Sequence, residues 1–148
     1  MKVVENFSYF KQQIEQIALV EHLMPGVMII HDLKGRVMWM SKMGLEQLDI
    51  SLEELQNSSA EDYYSRYFNE ADAKDYVPKI LGLLERNNDD EIITYFQQVR
   101  YREYLDWTWH MSSTRIFYRD EQNRPLYTIT ISFPIDAMHH MVNKAGKL

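Results

Sequence analysis

The five histidines of this 148-residue chain are its best candidates for proton transfer or metal binding near neutral pH. His31 precedes Asp32, and His22 likewise has an acidic neighbour. Adjacent residues of a strand point to opposite faces of a sheet, so the His31 pair does not predict a catalytic dyad. His110 alternates with threonine and serine, which predicts a polar strand face rather than a metal ligand.

Near the end of the chain, His139 and His140 could join Asp136 at helical spacing, but so few ligands do not predict a metal site. The absence of cysteine excludes disulfides, cysteine-ligated zinc, iron–sulfur clusters and cysteine nucleophiles. The sequence also lacks a glycine-rich phosphate loop, a Gly-x-Ser-x-Gly elbow and a His-Glu-x-x-His motif. The residue types therefore predict a protein that is not an enzyme and holds no metal.

The overall charge narrows the classes of partner. Lysine and arginine total 16 against 22 aspartates and glutamates, a formal net charge of −6, whereas nucleic-acid binding needs clustered positive charge. No run reaches the roughly 18 apolar residues of a membrane span, and no apolar signal core stands at the start. We therefore expect one folded cytoplasmic domain that contacts neither nucleic acid nor membrane.

The first element that could position a partner is a helix at residues 5–21. Its apolar side chains step by three or four residues, at Phe7, Phe10, Ile14 and Ile17. This narrow stripe has the geometry of a seam between helices, so we expect these four residues to form a dimer contact.

The remaining elements are read from hydrophobic period and turn chemistry. Two β-branched runs, 27–32 and 37–40, flank an Asp-x-x-Gly turn and predict a hairpin. Capping residues divide the middle into short helices and one long helix, whose apolar positions run from residue 73 and which stops near the asparagines at 87 and 88. Pro78 predicts either a kink in this helix or a late start near residue 78. Three strands follow, at 92–102, 106–118 and 126–135, and a last helix is expected from residue 136.

Both of the last two strands alternate sharply between large apolar and small polar side chains. Trp107, Trp109 and Met111 share one face of the first, and Ile129 and Ile131 share one face of the second. We assign these large apolar faces to the core, with threonine, serine and His110 on the opposite side.

The order of elements and several motifs resemble a PAS domain over residues 23–136. The resemblance is carried by a Met24-Pro25-Gly26 entry to an apolar strand, the Asp32-Leu33-Lys34-Gly35 turn, Asp106-Trp107-Thr108-Trp109 at the fourth strand, the polar loop at 120–125 and the Pro134-Ile135-Asp136 tail. It implies an α+β fold: a five-stranded antiparallel sheet with helices on one face, plus flanking N- and C-terminal helices. The chain then divides into a dimerisation helix at 1–22, the PAS-like domain at 23–136 and a signalling or linker helix at 137–148.

By the same resemblance, the chain is a non-catalytic sensor or dimerisation module of a bacterial signalling protein. The parent would be a transcription regulator or a histidine kinase, with this module as its N-terminal part. The implied partners are a second copy of the chain, a small-molecule ligand and a downstream output domain.

A ligand pocket would involve side chains of the helical middle and of the sheet. The candidates are Tyr63, Tyr67, Tyr76, Ile80, Tyr95, Trp107, Trp109 and Ile129. The cofactor is unknown: a cysteine–flavin adduct is excluded, and residues 69–87 lack the histidine that the family uses for haem. A non-covalent flavin stays open.

Two other interpretations compete with the sensor. A cone-shaped α+β enzyme or carrier would place an ionisable base, such as His31 or Asp106, inside a deep pocket with a perturbed pKa. A purely structural pairing module would instead have a fully packed interior.

Overall fold

The computed structural model describes residues 2–135, and side chains from residue 8 onward. The helices are α1 (Lys2–Val20), α2 (Lys42–Leu48), α3 (Leu52–Gln56), α4 (Ala60–Tyr67) and α5 (Ala73–Arg86), with 3-10 turns at Glu21–Leu23 and Glu70–Asp72. The strands are β1 (Val27–Asp32), β2 (Val37–Met40), β3 (Ile93–Val99), β4 (Thr108–Arg119) and β5 (Pro125–Pro134). The predicted C-terminal helix at 137–148, with its two histidines, lies outside the described residues.

The five strands form one antiparallel sheet in the order β2-β1-β5-β4-β3, which confirms the predicted sheet. Side-chain chemistry sets both tight turns. The Asp32 carboxylate accepts hydrogen bonds from the Lys34 and Arg36 amides, and Gly35 supplies the positive φ of 83°. Asp120 accepts from the Gln122 and Arg124 amides in the β4–β5 turn, so the same local device closes both hairpins.

Polar caps divide the helical middle as the sequence predicts. Ser51 accepts from the Glu54 amide at the start of α3, and Ser59 accepts from the Asp62 amide at the start of α4. Asn87 adopts the left-handed conformation, with a φ of 50°, and ends α5.

Hydrogen bonds tie the α4–α5 layer to the edge strand β3. The backbone N–H of Gln98 donates to the Asp72 carboxylate at 2.8 Å, and the backbone carbonyl of Gln98 accepts from the backbone N–H of Asn69 at 3.1 Å. The Lys79 ammonium donates to the Thr94 carbonyl at 3.1 Å. These contacts satisfy backbone groups that an edge strand would otherwise expose, and they set the height of α4 and α5 above the sheet.

The sheet faces are assigned the other way round from the sequence-based expectation. In β4 and β5 most of the buried side chains beneath α2–α5 are polar, namely His110, Ser112, Thr114, Thr128 and Thr130, and Ile116 is buried in the same alternation. Trp109 lies on the opposite side, 44% exposed. We call the side beneath α2–α5 the inner face and the opposite side the outer face. The expectation was wrong because tyrosines from α4 and α5 fill the space above the β3–β5 part of this face, where most of the strand side chains are small.

The outer face has its own cover, which is α1. Phe10 is buried against the sheet, and its ring stacks on Tyr127 with centroids 4.2 Å apart and planes 13° apart. Ile14 and Ile17 pack against the same cluster of buried residues. Three members of the predicted dimer seam therefore contact their own sheet, and the side chain of the fourth, Phe7, is outside the described residues.

Candidate ligand site

Four predicted pocket residues come together between the helices and the inner face. Tyr63 and Tyr67 extend from α4, Tyr76 from α5 and Tyr95 from β3. All four side chains are buried. The rings of Tyr63 and Tyr67 lie 5.7 Å apart by centroid, and those of Tyr76 and Tyr95 stack at 5.5 Å. The site is therefore walled by phenol rings, whose apolar bodies pack while their hydroxyls need partners.

Those partners are the small polar residues of the sheet. The Tyr95 hydroxyl lies 2.9 Å from the Thr114 hydroxyl, which in turn lies 2.6 Å from the Thr130 hydroxyl. Beside this chain, Ser112 donates to the Gln97 side-chain carbonyl at 3.2 Å. The β3–β5 part of the inner face therefore carries buried hydroxyl hydrogen bonds, in which each hydroxyl depends on its neighbour. The β1–β2 part, with Val27, Ile29 and Val37, belongs to an apolar cluster.

The His31 side chain extends from β1 into the same layer, and among the described residues its Nε2 atom has no hydrogen-bond partner. Its ring lies 6.3 Å from that of Tyr63 and 6.4 Å from that of Tyr64. The Nε2 atom is buried, and the part of the chain that the structure describes offers it no hydrogen bond. Burial lowers the pKa of His31 from 6.5 to about 4, and the nearby Asp32 carboxylate offsets only part of that change.

The layer around His31 is consequently uncharged near neutral pH. Burial raises the pKa of the Tyr63 hydroxyl far above its usual range, and neighbouring tyrosines add to the effect. Burial also raises the pKa of Tyr64 and that of Tyr95. Hydroxyls, an amide and a neutral imidazole are thus the groups that the inner face offers to a ligand.

A cleft opens beside this layer, between α4, α5 and the β1–β2 turn. Its volume is about 440 Å³, within the range of about 300–1,000 Å³ typical of small-molecule sites. Tyr64 and Tyr76 form part of its wall, and Ile80 and Leu81 line it from α5. Lys34 lines it from the β1–β2 turn. The predicted pocket residue Ile80 is therefore at the cleft, not in the buried tyrosine layer.

A second, smaller void measures only about 40 Å³, enough for one or two water molecules. Tyr67, Tyr101 and His110 contribute to its wall, and the Tyr101 hydroxyl lies 3.4 Å from His110 Nε2. These residues do not fit a flavin or a haem, because the rings that surround the void leave no space for a macrocycle or a tricyclic ring. Within residues 2–135 there is also no cluster of three or more histidine, aspartate or glutamate side chains arranged to hold a metal.

The structure separates the other three pocket candidates from the tyrosines. Trp107 lies under the Arg100 guanidinium, 4.2 Å from its ring centroid, in a cation–π contact. Trp109 is exposed on the outer face, and Ile129 packs on that same face against the α1 cluster. The sequence-based pocket candidates left out Tyr64, and the hydroxyl network was missed, although the regular threonine and serine alternation in β4 and β5 was a usable signal for the network.

Several solved structures resemble this chain in fold. A light-oxygen-voltage domain is 16% identical, with a TM-score of 0.60 over 90% of this chain and 96% of that one. The PAS domain of a Colwellia psychrerythraea protein is 14% identical, with a TM-score of 0.61 over 86% of this chain and 97% of that one. The PAS domain of Bordetella pertussis BvgS is 13% identical, with a TM-score of 0.60 over 92% of this chain and 96% of that one. By sequence, neither a family model nor a curated protein matches the chain.

These likenesses define the class of the protein as a sheet-and-helix domain of PAS architecture. The chain has the PAS fold, as its hairpin and strand motifs predict. The cone-shaped alternative is therefore wrong as a fold, and its two candidate bases divide: Asp106 is exposed, whereas His31 has the lowered pKa that such a base would show. Within the described part of the chain, no helix is both long and apolar enough to cross a membrane.

Proposed function

We propose that the chain is a non-catalytic sensor module that binds a small molecule in the cleft between α4 and α5. The observation that carries this proposal is the cleft of about 440 Å³, whose Tyr64 and Tyr76 wall adjoins the buried hydroxyl network. Apolar walls with a few convergent polar groups are the usual composition of a small-molecule site.

A ligand in this cleft would act on the sheet through α4 and α5. The Asp72–Gln98 and Asn69–Gln98 contacts link this layer to β3, and β4 and β5 carry Tyr118 and Tyr127, on which Phe10 of α1 packs. A small shift of α5 would thus change the packing of α1 on the far side of the sheet. Such a shift between two packed arrangements is the common form of a protein switch.

Two solved structures with the same fold support a place in signal transduction. One is the N-terminal domain of a Marinobacter aquaeolei diguanylate cyclase with a PAS/PAC sensor, 15% identical with a TM-score of 0.60, and another is a PAS domain from a two-component sensor histidine kinase, 9% identical with a TM-score of 0.59. By analogy we place this module in a signalling protein with an output domain, such as a histidine kinase or a transcription regulator.

Pairing of two copies is the second part of the proposal. Because Phe10, Ile14 and Ile17 pack on the chain's own sheet, the pairing surface is assigned to the outer face beyond α1, where Phe96 and Trp109 are exposed. Sedimentation of Trp109→Glu tests it: we expect a lower association constant than for the wild type. The matched control is Tyr104→Glu, since Tyr104 is exposed outside this face, and equal association of all three proteins contradicts the assignment.

The ligand site is tested by filling the cleft. Leu81 and Leu23 are both exposed leucines, but only Leu81 lines the cleft. A metabolite screen by thermal shift and native mass spectrometry should identify compounds that stabilise the wild type, and Leu81→Trp should abolish that stabilisation whereas Leu23→Trp keeps it. Compounds that stabilise all three proteins equally would place the ligand elsewhere, and a screen with no stabilising compound would favour the purely structural module.

A further inference from the structure

Tyr64 lies next to both His31 and the cleft. The Tyr64 ring forms part of the cleft wall, and on the sheet side it lies nearly parallel to the His31 ring, with 19° between the planes. Its other neighbours are the rings of Tyr63 and Phe68 at 5.1 and 5.2 Å. Tyr64 therefore borders the cleft and is also a close neighbour of the largely buried His31 imidazole.

A glycine in the β1–β2 turn makes room for the Tyr64 ring. A Cβ atom on Gly35 would stand 3.3 Å from Tyr64 Cε2, closer than side chains normally pack, and the φ of 83° already favours glycine there. Ring-to-ring and ring-to-glycine contacts are non-directional, so the side chain can leave this seat without breaking a strong directional interaction.

The His31 imidazole next to Tyr64 has a buried nitrogen that lacks a hydrogen-bond partner among the described residues. A buried polar atom without a partner is rare in proteins and calls for a specific explanation, such as an unfilled ligand position. His31 Nε2 is such an atom, and it lies on the inner face beside the cleft wall. A hydrogen-bonding group of a ligand that displaced the Tyr64 ring would reach this region of the inner face.

The surroundings of His31 also restrict the charge and shape of that ligand. The groups packed around the imidazole are the hydroxyls and rings of Tyr63 and Tyr64, and the charged group acting on it is the Asp32 carboxylate. The charged side chains that line the cleft itself are Lys34, Glu61 and Glu70, so carboxylates outnumber ammonium groups there, and an anion beside the imidazole would also meet Asp32. A buried ion without an opposite charge is costly. A planar ring is favoured because it can take over the parallel position of the Tyr64 ring against His31.

We propose that Tyr64 is a gate, and that the cleft ligand is an uncharged planar molecule whose hydroxyl or N–H group bonds to His31 Nε2 once the Tyr64 ring has moved aside. This inference rests on the proposed ligand-binding function and specifies the chemistry of the ligand for the same site. Because a hydroxyl both donates and accepts, it satisfies Nε2 in either imidazole tautomer.

Two matched probes test the gate in the full chain at pH 7.5. Phenol and toluene have the same ring and nearly the same size, and only phenol can hydrogen-bond. We expect the ratio of their affinities to change by about tenfold, against phenol, in His31→Phe relative to the wild type, because one hydrogen bond contributes about that factor. Comparing ratios removes the general difference in hydrophobicity between the probes.

Wild-type measurements keep the test independent of how the variant folds. In ¹⁵N spectra the His31 Nε2 resonance should shift on adding phenol and stay in place on adding toluene, and benzoate should not bind. Tyr64→Ala should bind phenol more tightly than the wild type, whereas Tyr64→Phe, which keeps the ring, should not.

The outcomes separate this inference from the function on which it rests. If both probes perturb Ile80 and Leu81 but leave Nε2 unchanged, and the affinity ratio is the same in His31→Phe, the gate is refuted and the cleft remains a binding site. If neither probe perturbs the cleft, the gate is refuted as well. The proposed function itself is refuted only if the metabolite screen also yields no ligand.

Discussion

The two faces of one sheet are built on opposite chemical principles. On the inner face, short hydroxyl-bearing strand residues such as Thr114 and Thr130 hydrogen-bond beneath tyrosines supplied by the helices. On the outer face, aliphatic and aromatic strand residues pack directly on Phe10 of α1 and leave Trp109 partly exposed. The contrast teaches that side-chain size on a strand reflects the thickness of its cover, and hydropathy alone does not identify the face that holds the site.

The largest effect is expected where the outer face depends on a single ring. Phe10→Ala removes the ring that stacks on Tyr127 and packs against Tyr118, so we expect a loss of about 3 kcal/mol in the free energy of unfolding. Chemical denaturation measures it, and Tyr9→Ala, at an exposed neighbouring position, should lose less than about 1 kcal/mol. Equal losses would mean that α1 does not cover the sheet through Phe10.

On the inner face, acid should act through His31. The pKa of His31 is 6.5 when the side chain is exposed and about 4 in the folded protein. Between pH 4 and pH 6.5, the unfolded chain therefore binds a proton at His31 that the folded chain does not bind. Stability contributed by the neutral imidazole is complete above pH 6.5 and falls as pH drops towards 4, by about 3 kcal/mol at about 1.4 kcal/mol per pH unit.

Urea denaturation between pH 7.5 and 4 measures this loss for the wild type and for His31→Phe. Carboxylates titrate in both proteins, so the difference between the two curves isolates the imidazole. Parallel curves would show that His31 is not buried in the folded protein.

A smaller effect should reveal the hydroxyl network as a unit. Thr114→Val leaves the Tyr95 and Thr130 hydroxyls each short of a partner, and we expect a loss of about 1–2 kcal/mol. The double variant Thr114→Val with Thr130→Val should lose less than the sum of the two single losses, because the two threonines satisfy each other. Strict additivity in denaturation curves would contradict the direct bond between them.

The smallest effect is predicted for the largest side chain of β4, Trp109. Trp109→Ser should cost about 1 kcal/mol, measured where the chain is monomeric, because Trp109 is already 44% exposed on the outer face. A core tryptophan would cost about 3–5 kcal/mol on truncation. A loss in that range would restore the sequence-based assignment of this face to the core.

Local signals in the sequence predicted most of the elements. Asp32 and Gly35 make a tight turn wherever the chain leads, because the aspartate bonds to amides two and four residues away. Ser51 and Ser59 likewise cap their helices through amides three residues ahead. Such contacts are complete within one turn, so the residue types are sufficient to predict them.

The site was predicted only in part, because its members come from distant segments. Three of the four tyrosines, Tyr63, Tyr67 and Tyr76, were found because bulky aromatic residues in the helical middle must pack on something, and Tyr95 was expected from the sheet. Tyr64 belongs to the same aromatic run but was not among the pocket candidates, because its position beside His31 depends on how α4 sits next to the β1–β2 turn. His31 entered only as a base for a different fold, although its burial among rings is what gives it an open hydrogen-bonding position.

Residue order alone was enough for the strands, turns, caps and PAS-like arrangement, since each depends on period, β-branching or a bond to a near neighbour. It also showed that β4 and β5 have one bulky and one small face. The three-dimensional packing decided which of the two meets α2–α5, because a strand's period of two makes both choices equally regular. That decision followed from the tyrosines above the inner face and from α1 below the outer one, and both lie far from β4 and β5 in the chain.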